Sequence, residues 1–155
     1  MTVYLVRHAD AKSRAAWLGD DRLRPLTKRG ERQAADLVRV AAHANVRRVL
    51  SSPAVRCVDT VVPLTKAHDV EVEPTELLAE GAEPKAAYEL VLEVAARKGD
   101  TVLCAHGDLI PELLRRAAKE GATLTGGDRW SKGSTWVLVT AHGKVTEGHY
   151  VPPSG

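Results

Sequence analysis

An α/β chain is what this sequence predicts: a single-domain three-layer sandwich with a mostly parallel sheet between helices and a C-terminal antiparallel hairpin. Three observations carry that expectation. Apolar runs near residues 2–6, 47–51, 101–105 and 134–140 have the length of strands. Segments with apolar residues at helical spacing alternate with them, the order expected of a sheet covered by helices. The 155 residues can bury one core and are too few for a second, so residues 1–155 are expected to form one domain.

The first strand, Val3-Tyr4-Leu5-Val6, ends in Arg7-His8. From Asp10 to Pro25 the chain is polar, holds Trp17 and resists assignment to a regular element. Thr27 is the expected N-cap of the first helix, whose apolar face is Ala34, Leu37, Val38, Ala41 and Ala42. The second strand leads through Val49-Leu50 into Ser51-Ser52-Pro53, and Pro53 is expected near the first turn of the second helix. Pro84 fits the first turn of the third, where Ala87, Leu90, Val91, Val94 and Ala95 recur at helical spacing and Gly99 ends the run. Thr101-Val102-Leu103-Cys104-Ala105 is a strand ending in His106-Gly107, and Ile110, Leu113, Leu114, Ala117 and Ala118 mark the fourth helix. Gly121 to Gly133, with Trp130, is a second irregular stretch. Residues 134–140 and 144–150, divided by Ala141-His142-Gly143, read as the closing hairpin. Internal repeats and low-complexity segments are absent.

Twenty-two basic residues against 20 acidic leave a net charge of +2, which gives no reason to expect a nucleic acid or a membrane surface as partner. The basic residues are unevenly placed: Lys12, Arg14, Arg22 and Arg24 follow the first strand, and Arg129 and Lys132 precede the last ones. They form either a solvated surface or a positive rim that draws phosphorylated substrates. Two cysteines cannot make a disulfide framework, and Cys57 and Cys104 sit in apolar surroundings that suit small buried hydrophobes. With no basic-then-apolar leader and no apolar run near the length of a membrane span, a cytoplasmic location is the expectation.

Three strand ends together offer two histidines and two arginines: Arg7-His8, Ser51-Ser52-Pro53 followed by Arg56, and His106-Gly107. Open α/β folds place their ligands at the carboxyl ends of strands. Phosphoryl transfer needs cations and donors around three equatorial oxygens and a nucleophile in line, and these residue types supply them. His43, His68, His142 and His149 lack such neighbours and read as structural.

These residues resemble the histidine phosphatase superfamily, whose fold is phosphoglycerate mutase-like. The resemblance rests on Arg7-His8, on Ser51-Ser52-Pro53-Ala54-Val55-Arg56-Cys57-Val58-Asp59-Thr60, on His106-Gly107, and on Leu26-Thr27-Lys28-Arg29-Gly30-Glu31-Arg32-Gln33-Ala34 as the start of the first helix. Ala9 stands where the family usually has glycine, as in the small branch with the SixA-type phosphohistidine phosphatases. Gly19-Asp20-Asp21, Arg56-Cys57 and Lys132-Gly133-Ser134-Thr135-Trp136-Val137-Leu138 are similar to histidine phosphatase domains joined to MutT-type Nudix hydrolases, although no Nudix domain is present in this chain.

The resemblance implies a phosphatase without metal or other cofactor, in which a ring nitrogen of His8 takes the phosphoryl group. Arg7 and Arg56 would fork onto its oxygens and His106 would add a donor. It also implies a general acid from the segment between the second and fourth helices, where Glu80 is the best positional match. Glu76 and Glu83 are rivals, and a plain surface charge is the alternative for all three. The implied substrates are a phosphohistidine protein or small phosphoester, or a nucleotide of the nucleoside diphosphate type, with a functional link to a Nudix hydrolase. The roofing insertions of larger members have no room here, so an open cleft is expected and a mutase role is disfavoured. Lys12, Ser13 and Lys132 are candidate substrate contacts. Trp17 and Trp130 either stack on a substrate or cover loose backbone.

Two readings of other classes stand beside this one. The pairs His8-Ala9-Asp10 and His106-Gly107-Asp108 could ligate a divalent metal, but Arg7 and Arg56 would repel it. A noncatalytic module that binds phosphorylated partners would use the same four residues without turnover.

Overall fold

The computed structural model describes residues 1–155. Its strands are β1 (Thr2–Arg7), β2 (Val46–Ser51), β3 (Val72–Pro74), β4 (Asp100–Ala105), β5 (Thr123–Thr125), β6 (Thr135–Ala141) and β7 (Lys144–Val151). The helices are α1 (Lys28–Val40), α2 (Val55–His68), α3 (Pro84–Ala95) and α4 (Ile110–Lys119). All seven strands join one sheet in the order β3-β2-β4-β1-β6-β7-β5. Neighbours pair in parallel except where β6 meets β1 and β7, so β6 alone runs against the others.

Alternation along the central strands makes the three layers. Val3 and Leu5 of β1, with Leu103 and Ala105 of β4, face Leu90 and Val91 of α3 and Leu113 and Leu114 of α4. Val6, Val102 and Cys104 point the other way, onto Leu37 of α1 and Val61 and Leu64 of α2. Burying a side chain such as Leu64 or Leu103 completely contributes roughly 1.5–3 kcal/mol. β1 and β4 are parallel neighbours, Val3 opposite Thr101 through Arg7 opposite Ala105, yet the helices that follow them cover opposite faces. A crevice opens outside the carboxyl ends of two such strands. Because β6 runs the other way, its start arrives at the same edge, where the Arg7 amide donates to Ser134 O (3.1 Å) and the Gly133 amide to His8 O (3.0 Å).

The helix starts follow their sequence signals. Thr27 caps α1 by accepting from the Gly30 amide at 3.1 Å, and Glu83 caps α3 ahead of Pro84 by accepting from the Lys85 and Ala86 amides. α2 differs from expectation: it begins at Val55 behind an uncapped Ala54, so Pro53 lies outside the helix. The Ser52 hydroxyl instead accepts from the Ala54 amide (3.3 Å) and holds the strand end in a turn. β3 and β5 are edge strands of three residues, too short to display a period, and β5 lies in the stretch expected to be irregular. The Asp10–Pro25 stretch is also ordered locally, with single 3-10 turns at Arg14–Ala16 and Asp21–Leu23 and a bridge between Ala11 and Leu26. The closing hairpin turns through His142 and Gly143, at φ 53° and 72°, as a two-residue loop requires. No helix is long and apolar enough to cross a membrane.

Candidate active site

His8 emerges from β1 into a backbone held from two sides. The Ala9 amide donates to Thr60 Oγ1 (2.9 Å), whose hydroxyl donates in turn to the Arg56 carbonyl (2.6 Å) on α2. On the other side α1 starts against the Asp10 backbone, and Gly30 allows it: a methyl there would overlap the Asp10 carbonyl oxygen and stand 2.9 Å from its carbon. The Ala9 carbonyl, so placed, lies 2.8 Å from His8 Nδ1. A carbonyl can only accept, so Nδ1 carries the proton and Nε2 keeps its lone pair. Burial lowers the imidazole pKa and repulsion from His106, Arg56 and Arg7 lowers it further, against the bond to Ala9, to about 3. His8 is therefore a neutral base at ordinary pH. The His106 ring stands edge-on to it, centroids 5.4 Å apart.

The two arginines are fixed by backbone. Arg7 donates from Nη1 to the Trp130 carbonyl (2.9 Å) and lies so close to Gly107 that a methyl there would sit 2.6 Å from its Cζ. Burial draws the Arg7 pKa down, against the opposing charges of Asp108 and Tyr150. Arg56, 1% exposed, is not the solvated helix residue its position could suggest. It donates from Nη1 to Asp21 O (2.8 Å) and from Nη2 to Asp21 Oδ2 (3.0 Å). Burial raises the Asp21 pKa, but the bond from Arg24 and the charges of Arg56, Arg24 and Arg14 outweigh it and keep the carboxylate ionised. His106, equally buried, has Nε2 2.8 Å from Ser52 Oγ. Asp21 was visible in the Gly19-Asp20-Asp21 segment of the resemblance, but its pairing with Arg56 was not. Thr60 was visible as the last residue of the Ser-Ser-Pro segment, though its task was not.

Five buried side-chain nitrogen or oxygen atoms have no hydrogen-bond partner, and three of them are Arg7 Nε, Arg56 Nε and His106 Nδ1. A buried donor left unpaired is costly and calls for an explanation. A ligand rich in acceptor oxygens supplies one.

A cleft of about 460 Å3 opens here, bordered by Arg7, His8, Glu80, Asp108, Trp130 and Lys132, with Ser13, Arg14 and Arg24 at one side. A smaller recess of about 130 Å3 adjoins it between Asp21, Ser52, Arg56 and His106, and Glu80 borders both. Glu80 bonds Arg14 Nη2 through both oxygens (3.1 Å) and lies 3.7 Å from Arg56 Nη2. Its rivals are engaged elsewhere, Glu76 with Arg22 and Glu83 in capping α3. Of the basic residues, Arg14, Arg24 and Lys132 border the cleft; Arg22, paired with Glu76, borders the smaller recess, and Arg129 lies over the Tyr150 ring. Lys12 does not border the cleft; its carbonyl accepts from Arg24 (2.6 Å). Trp17 bonds Asp20 O within its own loop, whereas Trp130 faces the cleft.

For the metal reading, Asp10 accepts from the Thr27 hydroxyl (2.6 Å) and Asp108 from the Gly81 amide (2.8 Å). No group of three His, Cys, Asp or Glu side chains is placed to hold an ion. Cys57 is buried in the core as expected, and its Sγ also lies 3.5 Å from His106 Nε2. Burial raises its thiol pKa, but bonds with Cys104, His106 and Ser52 outweigh that and draw it below an ordinary thiol. It is a polar neighbour of the site and not only a buried hydrophobe.

Comparison with known proteins places these residues in context. The profile of the Histidine phosphatase superfamily (branch 1) matches residues 3–147. The 8-oxo-(d)GTP phosphatase of Mycolicibacterium smegmatis (strain ATCC 700084 / mc(2)155) is 38% identical over 158 residues. That match takes in 98% of this chain and 48% of the relative, so the chain spans about half the length of that protein. Among solved structures, the protein histidine phosphatase SixA complexed with tungstate superposes with a TM-score of 0.76 at 17% identity, covering 100% of this chain and 97% of the other. A mycobacterial glucosyl-3-phosphoglycerate phosphatase gives 0.73 at 16%, covering 99% of each chain. At such identities these two likenesses concern the fold.

Proposed function

The chain belongs to the histidine phosphatase superfamily (branch 1), and from that premise we propose that it hydrolyses phosphate esters or anhydrides, without metal, through a phosphohistidine on His8. The observation that carries this reading is the set of three unpaired donors, Arg7 Nε, Arg56 Nε and His106 Nδ1, around a histidine whose Nε2 is free. Nε2 attacks phosphorus, the bond from phosphorus to the leaving oxygen breaks, and Glu80 gives that oxygen its proton when it departs as an alkoxide. The donors take the non-bridging oxygens. The Ala9 carbonyl supports the positive charge that grows on the ring through Nδ1–H. His106 donates from Nδ1 in either protonation state: its Nε2, 2.8 Å from Ser52 Oγ, accepts from that hydroxyl when the ring is neutral and donates to it when the ring is charged. Water then attacks phosphorus, passing a proton to Glu80, and the P–N bond breaks with its electron pair returning to Nε2.

The substrate proposed is a nucleotide of the nucleoside di- or triphosphate type. Its support is the 38% identity to a phosphatase named for 8-oxo-(d)GTP; a functional link to a Nudix hydrolase rests instead on the resemblance of Gly19-Asp20-Asp21, Arg56-Cys57 and the 132–138 segment to Nudix-linked domains. The test is phosphate release in EDTA from a panel of nucleotides, phosphohistidine peptide and p-nitrophenyl phosphate, with wild type beside His8→Ala. Acid-labile, alkali-stable label on the quenched wild-type protein, absent from His8→Ala, is expected, with a nucleotide as best substrate. Preference for the phosphohistidine peptide would replace the substrate assignment. Silence across the panel would overturn catalysis in favour of a binding module, and turnover only with added metal would overturn the metal-free mechanism.

A further inference from the structure

A second cavity, of about 290 Å3, lies between α4 and residues 124–136, walled by Pro111, Leu114, Ala118, Leu124, Trp130 and Trp136, with Arg115 and Asp128 also bordering it. Trp130 borders this cavity and the catalytic cleft alike, and its carbonyl is the acceptor that holds Arg7. We propose that this cavity is the nucleobase subsite of the enzyme and that it takes a guanine-type purine; the proposal rests on the nucleotide reading of the cleft.

Chemical contrast between the two cavities supports the assignment. The cleft is lined by charged groups, while five of the nine residues around the second cavity are hydrophobic. A nucleotide has the same division, an anionic end joined through a sugar to a flat apolar one. In phosphohistidine or an aryl phosphate the flat ring is attached directly at the reacting phosphate and stays in the cleft, whereas a nucleotide's base stands a sugar away from its phosphates. The wall is set by packing: Trp136, 1% exposed, donates from its indole to Arg129 O (2.8 Å), and a methyl on Gly126 would come within 2.9 Å of the Trp136 ring. The 126–130 segment is thus wrapped tightly on Trp136. Rigid aromatic walls with few polar groups are the usual make-up of a small-molecule pocket. Asp128 favours guanine. A carboxylate only accepts, so it can take the adjacent N1–H and 2-amino donors of guanine together, whereas adenine offers its 6-amino donor beside an N1 lone pair that repels the second oxygen.

The test uses the whole chain and leaves Trp130 in place. Ala118 is exposed on α4, so Ala118→Trp fills the cavity without entering the core. Kinetics with guanosine diphosphate, adenosine diphosphate and p-nitrophenyl phosphate are read for wild type, Ala118→Trp and Asp128→Asn. Ala118→Trp should raise the guanosine diphosphate KM about 10-fold or more with p-nitrophenyl phosphate turnover unchanged, since stacked bases contribute affinity of that order. Asp128→Asn should erase most of the preference for guanosine over adenosine. An unchanged nucleotide KM in Ala118→Trp, with His8-dependent turnover of p-nitrophenyl phosphate intact, overturns the subsite and leaves the phosphatase standing. Should no substrate turn over, the catalytic reading fails by itself, and calorimetry with guanosine decides the subsite: binding lost in Ala118→Trp supports it, and no binding to wild type overturns it.

Discussion

Gly30→Ala should damage both stability and catalysis, although Gly30 lies 22 positions from the nucleophile in sequence. Inside a helix this exchange ordinarily stabilises by about 0.5–1 kcal/mol, because glycine loses more backbone entropy on folding. Here the added methyl would overlap the Asp10 carbonyl oxygen and come within 2.9 Å of its carbon and 3.2 Å of its nitrogen. Every atom in that list is backbone, so no side chain can swing aside. Relief needs a shift on the order of 1 Å between the start of α1 and residues 9–10, and overpacking of this kind costs about 1–3 kcal/mol. The same shift moves the Ala9 carbonyl that orients His8 Nδ1 at 2.8 Å. A misplacement of about 1 Å at a nucleophile lowers the rate roughly 100-fold. Urea denaturation should therefore show a net loss of about 1–2 kcal/mol, and kcat/KM on p-nitrophenyl phosphate should fall roughly 100-fold. A variant as stable as wild type with full kcat/KM would refute the link from α1 to the nucleophile.

Gly107→Ala should leave stability nearly unchanged but lower kcat/KM about 10- to 100-fold, because the methyl would lie 2.6 Å from Arg7 Cζ and push the guanidinium off the phosphate. Thr60→Val should cost about 1–3 kcal/mol in urea, since it strands the buried Ala9 amide; wild-type stability would show that the hydroxyl bridge carries nothing. His8, with a folded pKa of about 3 against 6.5 unfolded, leaves the unfolded chain binding the extra proton between those values. Stability should thus fall as pH drops from about 6.5 toward 3, less steeply in His8→Ala, and the acid limb of kcat/KM should lie well below 6.5. Glu80→Gln should slow substrates with poor leaving groups far more than p-nitrophenyl phosphate. Equal loss on both kinds of substrate would show that Glu80 is not the proton donor.

Much of the architecture was legible because it is carried by local period and punctuation. The short apolar runs Val3-Tyr4-Leu5-Val6 and Val102-Leu103-Cys104-Ala105 mark strands, and Thr27 and Pro84 mark helix starts. β3 and β5 were not legible, since three residues show no period. Pro53 misled because a proline suits the turn before a helix as well as its first turn. At the site, Arg7, His8, Arg56 and His106 declared themselves at strand ends, and the resemblance pointed to Glu80.

What the sequence determined by itself was therefore the residue types and the strand ends that present them, since both depend on neighbours a few positions apart. Only the tertiary structure decided their chemical state. That the Ala9 carbonyl faces Nδ1, leaving Nε2 free, depends on how α1 meets residue 10 across Gly30. Asp21 holds Arg56 because the 10–25 segment folds back over α2. Burial beside His106 and two arginines is what lowers the His8 pKa. Each of these is a contact between residues distant in sequence, and tautomer, protonation and hydrogen-bond partner are set by such contacts.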